Sequence, residues 1–175
     1  MDRTRFAWAL AALVLGAVPG AMAQQPDPFE LPRPKALTVQ TKDNIRVAYD
    51  VKDDEWDAGI GKALYYVRGL LQSFEAQGVP TKNLRISVVV HGKPAYWLLN
   101  ESAYQNYKND PFAFNPNEKI VQDLVDLGVS VEICGSTMRT RGWTAADIHP
   151  AVVIVRDAYT RLIDLQQQGY GYIRF

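Results

Sequence analysis

The residues that most restrict the fold lie at 84–90. Leu84, Ile86 and then Val88, Val89 and Val90 in succession make a strand whose second half is apolar on both faces. Such a strand needs cover above and below, as in a parallel sheet layered by helices. Its surroundings agree. Residues 45–51 alternate as a first strand, and Ile60, Ala63, Leu64, Val67, Leu70, Leu71 and Phe74 recur at helical spacing until Gly78 and Pro80. Further strands are expected at 129–134, 152–155 and 170–174, and a helix at 156–168 ends at Gly169. Strands alternating with helices predict a three-layer α/β/α domain with a mostly parallel five-stranded sheet.

Between these elements the reading is less regular. Residues 95–99 are expected to start a helix, and 100–115 to be irregular and aromatic, with Tyr104, Tyr107, Phe112 and Phe114. Asn115-Pro116-Asn117-Glu118 predicts a capped helix start, with Asn115 as the N-cap and Glu118 at the third helical position. Thr144 and Asp147 repeat the capping pattern.

The first residues read as a secretory signal. Arg3 and Arg5 form a basic start, residues 6–18 an apolar stretch too short for a comfortable span, and Ala21 and Ala23 a small-residue cleavage pattern. Residues 1–23 are thus expected to be removed, giving a periplasmic or secreted protein with no membrane segment afterwards. Residues 24–43, with Pro26, Pro28, Pro32 and Pro34, read as an extended arm, and 44–175 as one domain. The 19 basic and 19 acidic residues balance, and the signal removes only Arg3, Arg5 and Asp2 from them. A neutral chain has no electrostatic footprint for nucleic acid.

Ligands in sheets of this kind bind at the carboxyl ends of strands. Two strands end on candidate chemistry: Val90 leads into His91-Gly92, and Ile133 into Cys134-Gly135. Cys134 is the only cysteine. With a helix start after Gly135 and Arg139 and Arg141 downstream, backbone N–H groups and guanidinium charge would favour a thiolate. His91, Gly92, Gly135, Arg139 and Arg141 are therefore the candidate binding residues around a candidate nucleophile, Cys134. Taken alone, a single thiol is more often a small buried hydrophobe than a reactive group. Cys134 and His91 supply too few ligands for a closed metal site, and no cofactor motif stands out, so neither metal nor cofactor is expected.

Gly128-Val129, Val131-Glu132-Ile133-Cys134 and Arg139-x-Arg141-Gly142 together resemble the DsrE/DsrF-like sulfur-relay family. The Val-Val-Val-His91-Gly92 strand end and the closing Gly169-Tyr170-Gly171-Tyr172-Ile173 resemble it too. The resemblance spans about 45–175. It implies a compact α/β protein assembled in threes or sixes, with Cys134 carrying sulfane sulfur as a persulfide between donor and acceptor thiols. Its best understood branch is cytoplasmic, whereas this chain carries an export signal. Such a protein is nearer to a carrier than to a turnover enzyme. The alternative is an oligomeric module of the same fold that binds a small ligand or a protein without covalent chemistry.

Overall fold

A computed structural model describes residues 37–175, which form one compact unit. The expected signal segment and most of the proline-rich arm lie outside the described residues. The last residues assigned to the arm are tied to the domain. Val39 N–H donates to Gln77 Oε1 at 2.9 Å, and Asn83 Nδ2 donates to the Lys42 carbonyl at 2.9 Å.

Five strands form the sheet: β1 (Ile45–Val51), β4 (Leu84–Val90), β5 (Ser130–Cys134), β6 (Val153–Val155) and β7 (Gly171–Arg174). A separate hairpin of two-residue strands, β2 (Trp56–Asp57) and β3 (Ile60–Gly61), follows β1. The sheet order is β6-β5-β4-β1-β7, and every pairing is parallel. The helices are α1 (Lys62–Ala76), α2 (Glu101–Lys108), α3 (Glu118–Asp126), α4 (Gly135–Arg141) and α5 (Ala158–Gln167).

Side chains alternate across each strand, so the sheet has two distinct faces. Val47, Tyr49 and Val51 of β1, Ile86, Val88 and Val90 of β4, and Val131 and Ile133 of β5 share one large apolar cluster. Leu64 and Val67 of α1 and Val121 and Leu124 of α3 complete it. Burying each such side chain stabilises by about 1.5–3 kcal/mol relative to leaving it in water. The opposite face is thinner: Ala48, Val89 and Cys134 meet Ala158, Leu162 and Leu165 of α5. The remaining buried residues on that face are polar, namely Asp50, Ser87, His91 and Glu132. Glu132, 1% exposed, accepts from Arg161 Nε at 2.8 Å and Nη2 at 3.0 Å, and from Ser130 Oγ at 2.9 Å.

Three local expectations are corrected. Residues 93–98 form a short 3₁₀ helix, Lys93–Leu98, which stops at Leu99 in an extended conformation. The stretch expected to be irregular holds α2, started by the Asn100 side chain accepting from Ala103 N–H and ended by Asn109 in the left-handed region. At α3 the N-cap is Asn117 rather than Asn115, with no side-chain capping bond, and Glu118 is the first helical residue; the Asn115 side chain accepts from Asn117 N–H at 3.0 Å. Glu118 does not reach back, because Asn115 N–H donates to Glu101 Oε2 at 3.0 Å instead. Thr144 and Asp147 do make both capping-box bonds.

Candidate functional site

Strands β4 and β5 run side by side with Val90 opposite Ile133, so His91 and Cys134 leave the sheet at the same carboxyl rim. Alternation puts both on the α5 face, with Val89 two residues before His91 in the same apolar cluster as Cys134. Gly92 follows at φ +69°, ψ −126°, a conformation a side chain rarely adopts, and its N–H donates to Thr137 Oγ1 of α4 at 3.1 Å. Gly135 is required for a different reason. A Cβ there would lie 3.0 Å from the Val155 carbonyl oxygen and 3.3 Å from that of Arg156. The glycine lets the start of α4 pass close to the end of β6.

Cys134 is 3% exposed, packed among Ala48, Val89, Ala158, Leu162 and Leu165, with Val155 and Tyr170 at the margin. It precedes α4 as the N-cap residue, but its side chain takes no capping bond. The two arginines point to other partners. Arg139 Nη2 donates to Ser136 Oγ at 2.8 Å, and Ser136 Oγ lies 3.3 Å from Asp157 Oδ2. The Arg141 guanidinium lies 5.9 Å from the Trp143 ring centroid, and Trp143 packs on the other face's cluster. The rim thus gathers His91, Gly92, Cys134, Gly135 and Arg139, while Arg141 is directed away to an aromatic ring.

His91 has a partner that the sequence reading missed. Its Nε2 lies 2.7 Å from Asp50 Oδ1, and Asp50 Oδ2 accepts from the Tyr172 hydroxyl. Asp50 and His91 are 6% and 5% exposed. The Tyr159 ring stands edge-on to His91, with centroids 5.3 Å apart and planes at 72°. This hydrogen bond to Asp50 is the main cause that pushes the Tyr172 phenol up to about 12, with burial and the Asp50 charge adding to it. Asp157 caps α5 by accepting from Tyr159 and Thr160 N–H groups, and the Thr160 bond leads the causes that hold its carboxyl below the usual range.

The arrangement is a hydrogen-bonded line, Tyr172–Asp50–His91, that can hold or pass a proton, beside a covered thiol. No group of three or more His, Cys, Asp or Glu side chains suited to a metal ion occurs among the described residues. No helix among them is long and apolar enough to cross a membrane. The missed signal was Asp50 itself: a carboxylate in the buried half of β1, in register with Val89 of β4.

Residues 65–175 match the model of the DsrE/DsrF-like family. No curated protein matches the chain. Among solved structures, MTH1491 from Methanobacterium thermoautotrophicum superposes with a TM-score of 0.58 at 21% identity, over 75% of this chain and 99% of that one. The ychN protein of E. coli gives a TM-score of 0.50 at 14% identity, over 75% of this chain and all of its own. At these identities the two structures establish a shared fold.

Proposed function

The chain belongs to the DsrE/DsrF-like family, and on that premise we propose a sulfur-relay-related role exercised as a non-covalent binding module at the α5 rim. The observation that carries this reading is the burial of Cys134, 3% exposed and enclosed by aliphatic side chains. A thiol must be reached by its donor to take up sulfur, and enclosure by aliphatic side chains keeps a donor from the Cys134 sulfur. The Tyr172–Asp50–His91 line and the surface around it offer polar groups for recognition instead.

The test is alkylation of native protein across a pH series, then incubation with polysulfide and intact-mass measurement. Cys134 is expected to resist both until the protein is unfolded. A native protein that gains whole sulfur atoms, loses them to a reductant, and gains none as Cys134→Ser would overturn the module reading. It would establish the second one, in which Cys134 carries a persulfide. That second reading is favoured by one observation: Cys134 ends β5 at the rim, one strand from His91.

Export and assembly belong to the same proposal. The basic start, apolar stretch and Ala21-x-Ala23 pattern support cleavage after Ala23. The proposal fails here if the protein isolated from the producing cell retains residues 1–23. Val153 and Ile154 on β6 are exposed apolar surface suited to a second copy. Light scattering on residues 24–175 should find an oligomer, and a monomer at micromolar concentration would refute assembly.

A further inference from the structure

Arg174 stands opposite Asp50 in the β1–β7 register, a position from which an arginine ordinarily closes on a carboxylate. It does not do so. Both Asp50 oxygens are occupied, by His91 Nε2 and by the Tyr172 hydroxyl. Among the described residues, no carboxylate lies within ion-pair distance of Arg174, nor of Lys52, which follows Asp50 by two positions on the same sheet face. Both cations line a groove of about 380 Å³ between α5 and the β1–β7 edge, with Asp50 and Tyr172 at its base and Tyr159 and Ile163 on its helix side.

We propose that this groove binds a small organic anion, a carboxylate or sulfonate on a short apolar stem. The anion sits between Arg174 and Lys52, and the stem lies against Tyr159 and Ile163. In the groove lining two cations face one carboxylate side chain, Asp50, which is 6% exposed and already committed to neutral or basic donors; Asp53 and Glu55 lie on the other side of Arg174. The phenol of Tyr172 is neutral at neutral pH and adds no charge of its own. Tyr159 and Ile163 are 58% and 59% exposed, an apolar wall left open among the described residues. The volume is at the small end of ligand pockets, in keeping with a small guest.

This inference rests on reading the chain as a binding module, and its test separates the two. Backbone-amide NMR titrations of residues 24–175 would use butyrate, acetate and inorganic sulfate as probes at constant ionic strength. Saturable shifts are expected at residues 50–52, 159–163 and 172–174, with butyrate binding more tightly than either smaller anion. Arg174→Gln should weaken butyrate binding about tenfold or more, the scale of one lost charge-assisted hydrogen bond. Lys52→Gln should weaken it less, because an exposed ammonium contributes a less directional contact. Arg68→Gln, on α1 in a different groove, should leave it unchanged. All three positions are at the surface, so the variants should keep the fold, as amide spectra would confirm. Non-saturating shifts, or equal losses in Arg174→Gln and Arg68→Gln, would overturn the site. Sulfate binding as tightly as butyrate would overturn the apolar stem. If binding fails while native Cys134 still refuses polysulfide sulfur, only the anion site falls; if Cys134 accepts sulfur, the module reading falls with it.

Discussion

Replacing Arg161 by Met should destabilise the domain far more than a partly exposed arginine suggests. Glu132 is 1% exposed, and its carboxylate is met by two Arg161 nitrogens at 2.8 and 3.0 Å and by Ser130 Oγ at 2.9 Å. Removing Arg161 leaves one neutral donor for a buried charge. Breaking a buried pair from one side costs about 3–5 kcal/mol. The Arg161 side chain is 29% exposed, so water can reach the vacated position, and the low end of that range, about 3 kcal/mol, applies. For a domain of this size that is a fall in Tm of roughly 6–12 °C. The double variant Glu132→Leu/Arg161→Met removes both charges and should return to within about 1 kcal/mol of the parent. Urea unfolding of the parent, Arg161→Met, Glu132→Leu and the double variant gives the cycle, and unchanged m values would show that the native state carries the effect. A loss below about 1 kcal/mol in Arg161→Met, or a double variant no better than the single, would refute the account of Glu132 as a charge that depends on its partner.

Gly61→Ala should cost about 1–3 kcal/mol by overpacking, since its Cβ would fall 2.5 Å from a Trp97 ring carbon; chemical denaturation measures it. In an alkaline absorbance titration, Tyr49, Tyr96 and Tyr172 should stay protonated until about 12, the first two through burial and the third through its bond to Asp50. Because these folded values exceed the unfolded value of about 10, their contribution to stability is complete below about 10 and is lost as pH rises through about 12. Tyrosines that all titrate together near 10 in folded protein would contradict it. Asp157→Ala should speed Cys134 alkylation by loosening the start of α5, whereas Asp157→Asn keeps a capping oxygen and should change it less; equal rates would contradict the cap's role. Because the Asp157 carboxyl is held low, the parent's contribution from this cap is present above the unfolded carboxylate range and lost as pH falls through the lowered value.

The sheet and its main helices were legible because their signals are periodic. Val88-Val89-Val90 announced a doubly covered strand, and the stripe from Ala63 to Leu71 announced α1. Helix α2 was hidden by its composition: Glu101, Gln105, Asn106 and Lys108 leave only Ala103 and Tyr104 buried. It is held by its Asn100 cap and by Tyr107 stacked 4.8 Å from Tyr96, a contact set by tertiary packing. At the site, the shared rim of His91 and Cys134 followed from two strand ends. The burial of Cys134 did not, because its cover comes from Leu162 and Leu165, far along the chain. Arg141 looked like a partner for the thiol by proximity in sequence, but its guanidinium finds the Trp143 ring two residues on. Asp50 escaped notice because its neighbours Ala48 and Val51 read as plain core.

The placement of β7 has a consequence for how the domain forms. β1 is the first strand of the sheet in the sequence, yet one of its two neighbours is β7, the last. Until residues 171–174 have emerged and returned, β1 presents an unpaired row of N–H and carbonyl groups along one side. Pairing strands from opposite ends of a domain closes a long loop before any contact repays it, so this step should be slow. A chain stalled short of Gly171 would carry an open strand edge beside the apolar side chains of Val47 and Tyr49. The interval between synthesis of β1 and arrival of β7 is therefore when this protein is most exposed to misassociation, and when a holding chaperone would have most effect.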